Sequence, residues 1–199
     1  MSSPGISAII ITLNEERNIG RCLESLQGIA DEIIVVDSHS TDRTRQIAEA
    51  HGARVIERDW EGYSATKNRA NADANHAYIL SLDADEALDN TLRASMLAAK
   101  HQGLSGSYSF HRLTNYCGRW IRHGGWYPDT KVRLFPLGAA EWQGNFVHEE
   151  LVLKTPSSTT LLKGDLLHYS YYTREEHLNR VEKYTTLACL LYTSDAADD

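Results

Sequence analysis

Apolar and polar positions change their spacing several times along the first hundred residues of the chain. Short runs such as residues 6–13 are almost wholly apolar, which is typical of strands buried in a parallel sheet. The stretches between these runs have helical spacing, and Ile19, Cys22 and Leu26, for example, fall on one helix face. The predicted strands cover 6–13, 32–36, 54–58 and 77–82, and the predicted helices cover 15–26, 41–51, 63–74 and 90–102. This alternation predicts an α/β fold in which helices connect parallel strands.

After residue 102 the alternation stops, and the chain becomes rich in aromatic residues and glycine. Residues 107–110 and 132–135 have the composition of strands. They flank a long loop that contains Trp120, Trp126 and Tyr127. Because long loops in compact domains are usually functional or disordered, we predict that this loop forms part of a binding site.

The overall composition narrows the possible functions. With 199 residues, of which 42% are hydrophobic, the chain suits one domain with a sizeable core. The formal net charge of −7 and the pI near 5.7 argue against nucleic acid as a partner, because phosphate contacts require clustered Lys and Arg. No apolar run reaches the length of a membrane span, and residues 6–13 lack the basic flank of a signal peptide. We therefore expect a cytoplasmic protein whose three cysteines are reduced.

The most informative motif is the acidic group Asp83, Ala84, Asp85 and Glu86, which directly follows the predicted strand at 77–82. Carboxylates are costly to bury without a partner. We therefore expect the two aspartates to face a cleft and to hold a divalent cation, which could in turn bind a diphosphate. The alternative is that the motif only caps the helix that follows it.

Polar residues follow three of the predicted strands, where open parallel sheets bind their ligands. They are Thr12, Asn14 and Glu15 after the first strand, Asp37, Ser38 and Ser40 after the second, and Asp83 and Asp85 after the fourth. The chain has no glycine-rich dinucleotide fingerprint after its first strand and no P-loop motif. Dinucleotide-dependent oxidoreductases and P-loop enzymes are therefore disfavoured.

With these motifs the sequence resembles the inverting glycosyltransferases of family 2. The resemblance extends from Ile6 to about Tyr184. The segments that carry it are IITLNEE at 10–16, IVVDS at 34–38, KN at 67–68 and LDADE at 82–86. Within the family, WYPD at 126–129, RLF at 133–135 and VHE at 147–149 are most similar to the bacterial lipopolysaccharide-core glucosyltransferases. The resemblance implies the GT-A fold of nucleotide-diphospho-sugar transferases, a Rossmann-like and mostly parallel sheet flanked by helices.

The resemblance places the nucleotide-sugar site at the strand ends. The residues that match this site are Thr12, Asn14, Glu15, Asp37, Lys67 and Asp83. Asp37 is expected to contact the uracil or its ribose, although an aspartate at this place could equally cap a helix. Lys67 is expected near the nucleotide, although a lone lysine on a helix is usually solvated.

The resemblance also implies a Mg²⁺ or Mn²⁺ ion that bridges the diphosphate of the donor. Asp83 and Asp85 match the D-x-D motif, in which the second aspartate usually meets the metal and the first meets the ribose or the metal. His168 lies where many GT-A enzymes supply a histidine to the metal. A lone histidine is also common as a structural residue, so both interpretations of His168 stay open.

Inversion needs a carboxylate that removes the proton from the acceptor hydroxyl. By resemblance, Glu149 occupies the place of the family's catalytic acidic motif and is the preferred base. Asp129, which follows the aromatic loop, is the second choice, and Glu150 is the third. Arg133 could pair with a carboxylate or the diphosphate, or lie on an exposed strand face, and the loop aromatics could stack on a sugar or pack in the core.

These expectations together describe a metal-dependent transferase that moves a hexose, glucose in the first place, from a UDP-sugar to a lipid-linked saccharide. The expected acceptor is the heptose of the lipopolysaccharide inner core, which implies peripheral contact with the cytoplasmic face of the inner membrane. One alternative is a sugar-1-phosphate nucleotidyltransferase, but that class would need a glycine-rich, lysine-bearing loop after the first strand. The other alternative is a non-catalytic module that binds a sugar nucleotide.

The carboxyl-terminal end departs from the pattern of the family. A predicted helix at 174–191 gives way to YTSDAADD at 192–199, where the family continues with further helices and basic residues. We therefore expect one truncated glycosyltransferase domain over residues 1–188. Residues 189–199 are expected to be an atypical tail, either foreign or disordered.

Overall fold

A large mixed β-sheet forms the centre of the computed structural model, which describes residues 4–144, 149–154 and 158–195. The strands are β1 (Ile6–Thr12), β2 (Glu32–Asp37), β3 (Arg54–Glu57), β4 (Tyr78–Asp83), β5 (Glu86–Leu88), β6 (Ser107–Tyr116), β7 (Arg119–Trp120), β8 (Asp129–Pro136), β9 (Ala140–Gln143), β10 (Glu150–Leu153) and β11 (Thr159–Tyr171). The helices are α1 (Ile19–Leu26), α2 (Thr44–Ala50), α3 (Tyr63–Asn71), α4 (Asn90–Gln102) and α5 (Arg174–Asp195).

Within these ranges, nine strands form one sheet in the order β3-β2-β1-β4-β8-β6-β11-β5, with β7 beside β6. β1 pairs in parallel with β2 and β4, and β2 pairs in parallel with β3. β8 is antiparallel to both β4 and β6, so the sheet changes there from parallel to mixed. Parallel neighbours require crossover connections, and α1, α2 and α3 supply them. The predicted α/β fold is confirmed.

Side chains that alternate along β1 divide the core into two layers. Ala8 and Ile10 belong to a cluster that includes Leu23 of α1. Ile9 belongs to a second cluster, which includes Ala70 of α3. Since all seven residues of β1 are buried, helices cover the sheet on both faces here, as in other doubly covered parallel sheets.

The four strands and four helices predicted in the first half are all present, with some shifted ends. α4 begins and ends as predicted, and its N-cap is Asp89, whose side chain accepts a hydrogen bond from the Leu92 amide at 2.6 Å. This helix is therefore capped by a residue outside the acidic motif. α1 begins at Ile19 rather than at residue 15, because the Glu15 carbonyl accepts the Asn18 amide at 2.9 Å and closes a turn before the helix.

The second half contains strands that the sequence pattern did not predict, and β11 is the longest strand described. Its pairing with β6 shifts register between Leu161 and Asp165, where Gly164 has a φ of +102°. Gly164 lies against the start of α4, and a Cβ there would be 2.1 Å from the backbone nitrogen of Leu92. β11 then pairs His168 with Glu86 of β5, which brings the end of β11 to the acidic motif.

The final helix is longer than predicted. α5 runs from Arg174 to Asp195, so it passes the start of the expected tail at Cys189. Residues 196–199 lie outside the described part of the chain.

Candidate active site

Three parallel strands bring the predicted polar residues to one edge of the sheet. Thr12 at the end of β1 is in register with Asp37 at the end of β2. On the other side of β1, Ile11 is in register with Asp83 at the end of β4. The carboxyl ends of β1, β2 and β4 therefore lie side by side.

The loops after β1 and β2 are joined by hydrogen bonds. The Asn14 amide donates to Ser40 Oγ at 2.8 Å, and Asn14 Oδ1 accepts the Thr41 amide at 2.8 Å. The Glu15 amide donates to Thr44 Oγ1 at 2.8 Å. Asn14 has a φ of +53°, a conformation that asparagine tolerates better than most residues. The two loops thus form one continuous wall beside the strand ends.

Asp37 is buried and stabilises this wall through hydrogen bonds. Its side chain has no exposed surface, and it accepts hydrogen bonds from the amide and the hydroxyl of Ser40 at 2.8 and 2.5 Å. Arg45 Nε lies 3.7 Å from Asp37 Oδ1. These contacts fit a loop-stabilising role, and the predicted contact of Asp37 with uracil or ribose stays a prediction.

Two hydroxyls at the same edge have no hydrogen-bond partner in the part of the chain that the structure describes. Thr12 and Ser38 are 6% and 9% exposed, and neither Oγ1 of Thr12 nor Oγ of Ser38 has a hydrogen-bond partner within the described residues. Buried polar atoms are usually hydrogen-bonded. Both hydroxyls are therefore available to a ligand, and Ser38 is a residue without a role predicted from the sequence.

Asp83 is held by two buried cations. Lys67 Nζ lies 2.9 Å from Asp83 Oδ1, and Arg133 Nη2 lies 3.0 Å from Oδ2. Burial alone would raise the pKa of Asp83, but the charges of Lys67 and Arg133 hold this pKa well below its usual range. Lys67 and Arg133 are 2% and 3% exposed, so neither is the solvated residue that the alternative interpretations described.

Lys67 also connects this site to the preferred catalytic base. Its Nζ lies 3.4 Å from Glu149 Oε1 and 4.3 Å from the centre of the Trp142 ring. Glu149 is half-buried, whereas Glu150 is exposed at the start of β10. Of these two glutamates, Glu149 is thus the one that faces the acidic motif. Val147 and His148, which belong to the predicted catalytic segment, lie outside the described residues.

Asp85 pairs with the histidine that was predicted to join it. His168 Nε2 lies 3.3 Å from Asp85 Oδ2, and both side chains are largely buried. Burial would raise the pKa of Asp85, but His168 outweighs this effect and lowers the pKa. The main chain reinforces the pair, since the Tyr169 amide donates to the Asp85 carbonyl at 2.9 Å.

The side chains present fit a divalent cation at Asp85. No cluster of three or more metal-ligating side chains occurs among the residues that the structure describes. Mg²⁺ and Mn²⁺ at nucleotide sites, however, commonly need only one or two protein ligands, because phosphate oxygens and water complete the shell. Asp85 and His168 offer such a pair, whereas both oxygens of Asp83 are already occupied by Lys67 and Arg133.

Asp129, the second choice as a base, is also doubly paired. Arg112 donates to Oδ2 from Nε at 2.9 Å, and Lys131 Nζ lies 2.9 Å from Oδ1. Burial raises the pKa of Asp129, but Lys131 and Arg112 together lower it. Asp129 is therefore poorly suited to accept a proton near neutral pH.

The aromatic loop borders the same edge of the sheet. Trp120 packs edge-on against Tyr169 with 5.2 Å between ring centres, and Trp126 packs against Tyr116 at 6.1 Å. These tryptophans remain 36% and 40% exposed, so part of each ring can stack on a sugar. Tyr127 has a different role, because its hydroxyl donates to Asp165 at 2.9 Å and ties the loop to β11.

Sequence comparisons identify relatives of the chain. The family model described as "Glycosyl transferase family 2" matches residues 7–151. A protein of Rickettsia typhi named "Uncharacterized glycosyltransferase RT0209" is 32% identical over 201 residues, which cover 91% of this chain and 65% of that protein. The "Lipopolysaccharide core biosynthesis glycosyltransferase LpsC" of Rhizobium meliloti is 31% identical over 197 residues, which cover 92% of this chain and 69% of LpsC. The chain thus spans about two thirds of the length of these relatives.

Solved structures share the fold. S. aureus TarS 1-349 matches with a TM-score of 0.62 and 18% identity, over 83% of this chain and 60% of that chain. The same protein in complex with UDP-GlcNAc matches with a TM-score of 0.52 and 16% identity, over 80% and 59% of the two chains. The architecture described above is the GT-A fold, as predicted.

Proposed function

The chain belongs to glycosyl transferase family 2, and on this basis we propose that it transfers a hexose, glucose in the first place, from a UDP-sugar to a saccharide acceptor. The observation that carries the proposal is the meeting of Thr12, Asp37 and Asp83 at one sheet edge, with Asp85 and His168 beside them. Residues 1–188 form the transferase domain in this proposal.

The donor lies across the carboxyl ends of β1, β2 and β4. The hydroxyls of Thr12 and Ser38, which have no partner among the described residues, support a nucleoside at the first two strand ends, because such a ligand offers several hydrogen-bonding groups. Asn14 and Glu15 supply the wall of this pocket through their contacts with Ser40 and Thr44. Binding of UDP-GlcNAc by TarS, which shares the fold, is consistent with a UDP-sugar donor.

The diphosphate lies beside Asp85. A Mg²⁺ or Mn²⁺ ion held by Asp85 and His168 would neutralise the charge that develops on the departing UDP. Lys67 and Arg133 keep Asp83 ionised and oriented next to this place. Asp83 is thereby assigned to orientation and to the ribose, and Asp85 to the cation.

The transfer proceeds with inversion and with Glu149 as the base. The Glu149 carboxylate takes the proton from the acceptor hydroxyl, and the oxygen attacks the anomeric carbon from the face opposite the diphosphate. A new carbon–oxygen bond forms as the bond to the diphosphate breaks, and UDP leaves with the electron pair. Lys67, which lies within 3.4 Å of Glu149 and 2.9 Å of Asp83, holds the base next to the donor site.

The acceptor binds at the aromatic loop. The exposed parts of Trp120 and Trp126 provide stacking surfaces for a sugar ring at the edge that also carries Asp85. The name of LpsC supports a lipopolysaccharide-core acceptor, for which we favour the heptose of the inner core. None of the helices in the described ranges has the length and apolar character that a membrane crossing requires. In this proposal, contact with a lipid-linked acceptor is peripheral.

The proposal is tested by donor binding and turnover. UDP-glucose is titrated calorimetrically with Mn²⁺ and with chelator into the unaltered chain, Asp85→Ala and the control Asp31→Ala. Asp31 pairs with Lys100 at the amino end of β1, opposite the site. Binding that needs Mn²⁺, is lost in Asp85→Ala and persists in Asp31→Ala is expected. Absence of UDP-glucose binding by the folded, unaltered chain would overturn the proposal.

Turnover separates a transferase from a binding module. UDP release is measured with a heptose-containing core oligosaccharide as the acceptor. We expect acceptor-dependent release of UDP. Metal-dependent binding without release of UDP on any saccharide acceptor would favour the non-catalytic module.

A further inference from the structure

A buried arginine and a buried glutamate lie directly behind the acidic motif. Arg133 is 3% exposed and Glu86 is 1% exposed. Arg133 Nη2 donates to Glu86 Oε1 at 2.8 Å and to Asp83 Oδ2 at 3.0 Å, so one nitrogen joins the two carboxylates. Glu86 Oε2 in turn accepts the backbone amide of Asp83 at 3.0 Å. Glu86 therefore closes the turn from Asp83 to Glu86, and Arg133 fixes the side chain at the start of this turn.

The same glutamate connects the turn to the acceptor side. Arg112 Nη1 lies 3.7 Å from Glu86 Oε1, and its Nη2 lies 2.8 Å from Asp129 Oδ2. Asp129 is the first residue of β8 and directly follows the aromatic loop. The ionic chain from Asp83 to Asp129 thus spans the distance between the donor and acceptor regions.

Stability alone is a weak explanation for such a buried network. Removing charges from water is costly, and buried ion pairs can often be replaced by apolar residues without loss of stability. A defined geometry at the motif is a better explanation. One carboxylate oxygen of Asp83 is paired with Lys67 and the other with Arg133. Among the described residues, Asp85 is paired with His168 alone.

Resting on the proposed function, we propose that Arg133 and Glu86 are positioning residues for the donor site. They lock Asp83 into the turn as a cation-paired anchor, and the locked turn presents Asp85 to the divalent cation and the diphosphate. Neither residue touches the donor itself.

A double-mutant cycle tests whether Arg133 acts through Asp83. UDP binding in saturating Mn²⁺ is measured by calorimetry for the unaltered chain, Arg133→Met, Asp83→Asn and the double variant. We expect Arg133→Met to weaken UDP binding about tenfold in the unaltered background and less than about twofold in the Asp83→Asn background, because coupled residues are non-additive. An equal loss in both backgrounds would overturn the proposal, since it would indicate direct contact with UDP or a general structural effect.

Two further variants keep the test valid if Arg133→Met does not fold. Glu86→Gln retains an oxygen for the Asp83 amide but loses the charge that holds Arg133, and the same cycle with Asp83→Asn applies. Arg133→Lys keeps the positive charge at this position, so we expect it to bind UDP more tightly than Arg133→Met but less tightly than the unaltered chain. The control Arg93→Met removes an arginine that donates to the Glu24 and Gln27 carbonyls, away from the site, and should leave UDP binding unchanged.

If the unaltered chain binds no UDP, the proposed function itself is wrong. If it binds UDP and neither Arg133 nor Glu86 variants weaken that binding, only the positioning role fails.

Discussion

Glu149 and Asp129 differ in the number of cations that hold each carboxylate. Asp129 is paired with both Arg112 and Lys131. Among the described residues, Glu149 forms one ion pair, with Lys67 at 3.4 Å. A base must accept a proton during the reaction, and the lowered pKa of Asp129 makes it unsuitable. We therefore predict that Glu149→Gln lowers the transfer rate by roughly 10²- to 10⁴-fold, while Asp129→Asn lowers it less than about tenfold.

Steady-state rates at saturating donor and acceptor measure this difference. UDP binding by calorimetry should stay within about threefold of the unaltered value in Glu149→Gln, because a base acts on the acceptor hydroxyl. Glu150→Gln serves as a control, since Glu150 is exposed at the start of β10. A larger loss of rate in Asp129→Asn than in Glu149→Gln would identify Asp129, and not Glu149, as the base.

At the residue scale, the sequence predicted the positions of site residues better than their environments. The acidic motif and His168 were identified, and the structure places Asp85 and His168 together. The burial of Lys67 could not be predicted, because it depends on Trp142 and Glu149, which lie more than seventy residues away in the chain. Helical spacing around Lys67 says nothing about such distant contacts.

At the scale of elements, Gly164 determines how β11 packs against α4. Its φ is +102°, and an added Cβ would be 2.1 Å from the backbone nitrogen of Leu92. Gly118 also has a positive φ, +83°, but a Cβ there would meet no atom within 4 Å. We predict that Gly164→Ala destabilises the protein by ~2–4 kcal/mol and Gly118→Ala by only ~1 kcal/mol. Urea unfolding of both variants measures the difference, and equal losses would show that backbone conformation, without the steric clash, is responsible.

Glu32 connects separate elements at the amino-terminal edge of the sheet. It accepts hydrogen bonds from Ser7 Oγ at 2.7 Å and the Asn75 amide at 3.0 Å, and it pairs with Arg54 at 3.3 Å. Burial would raise the pKa of Glu32, but these contacts lower it from 4.5 to about 2. Because the pKa is lower in the folded state, the stabilisation is present above pH 4.5 and is lost as the pH falls towards 2.

We therefore predict that Glu32→Gln lowers the free energy of unfolding by ~1–2 kcal/mol at pH 7, a value reduced for screening by solvent. The difference from the unaltered chain should shrink at pH 3. Urea unfolding at both pH values measures it. Glu49→Gln on the exposed face of α2 is the control and should have little effect. A difference that stays constant with pH would contradict the assignment of the lowered pKa to Glu32.

Most elements of the first half were predictable because β1, β2 and β4 are largely apolar runs and α1 has a regular apolar face. β11 was missed because Lys163, Gly164 and Asp165 interrupt its apolar pattern, and the sheet accommodates them by a shift of register. β5 was missed for a different reason. Its three residues overlap the acidic motif, and the buried Glu86 is compensated by its pairing with the distant Arg133. Neither the register shift in β11 nor the pairing of Glu86 with Arg133 can be recognised from the local sequence.

At the scale of the whole molecule, the strand order explains why distant segments form one site. β1 lies between β2 and β4, so the loops after all three strands meet at one edge. β8, β6 and β11 extend the same sheet and bring Arg133, Arg112 and His168 to the acidic motif. A ligand that spans these strand ends contacts segments from both halves of the chain and should therefore stabilise the fold as a unit.

This coupling predicts a large thermal shift on donor binding. At a UDP concentration about 100 times its dissociation constant, binding to the folded state contributes ~2.7 kcal/mol. For a chain of this size, that free energy corresponds to a rise in Tm of roughly 5–10 °C. The rise should require Mn²⁺ or Mg²⁺ and be much reduced in Asp85→Asn, while Asp31→Asn, which alters a carboxylate at the opposite edge, should retain it. Differential scanning calorimetry with UDP, with the metal and with both measures these effects. A full shift with UDP in the presence of chelator would show that UDP binds without a metal, and it would contradict the assignment of Asp85 to the cation.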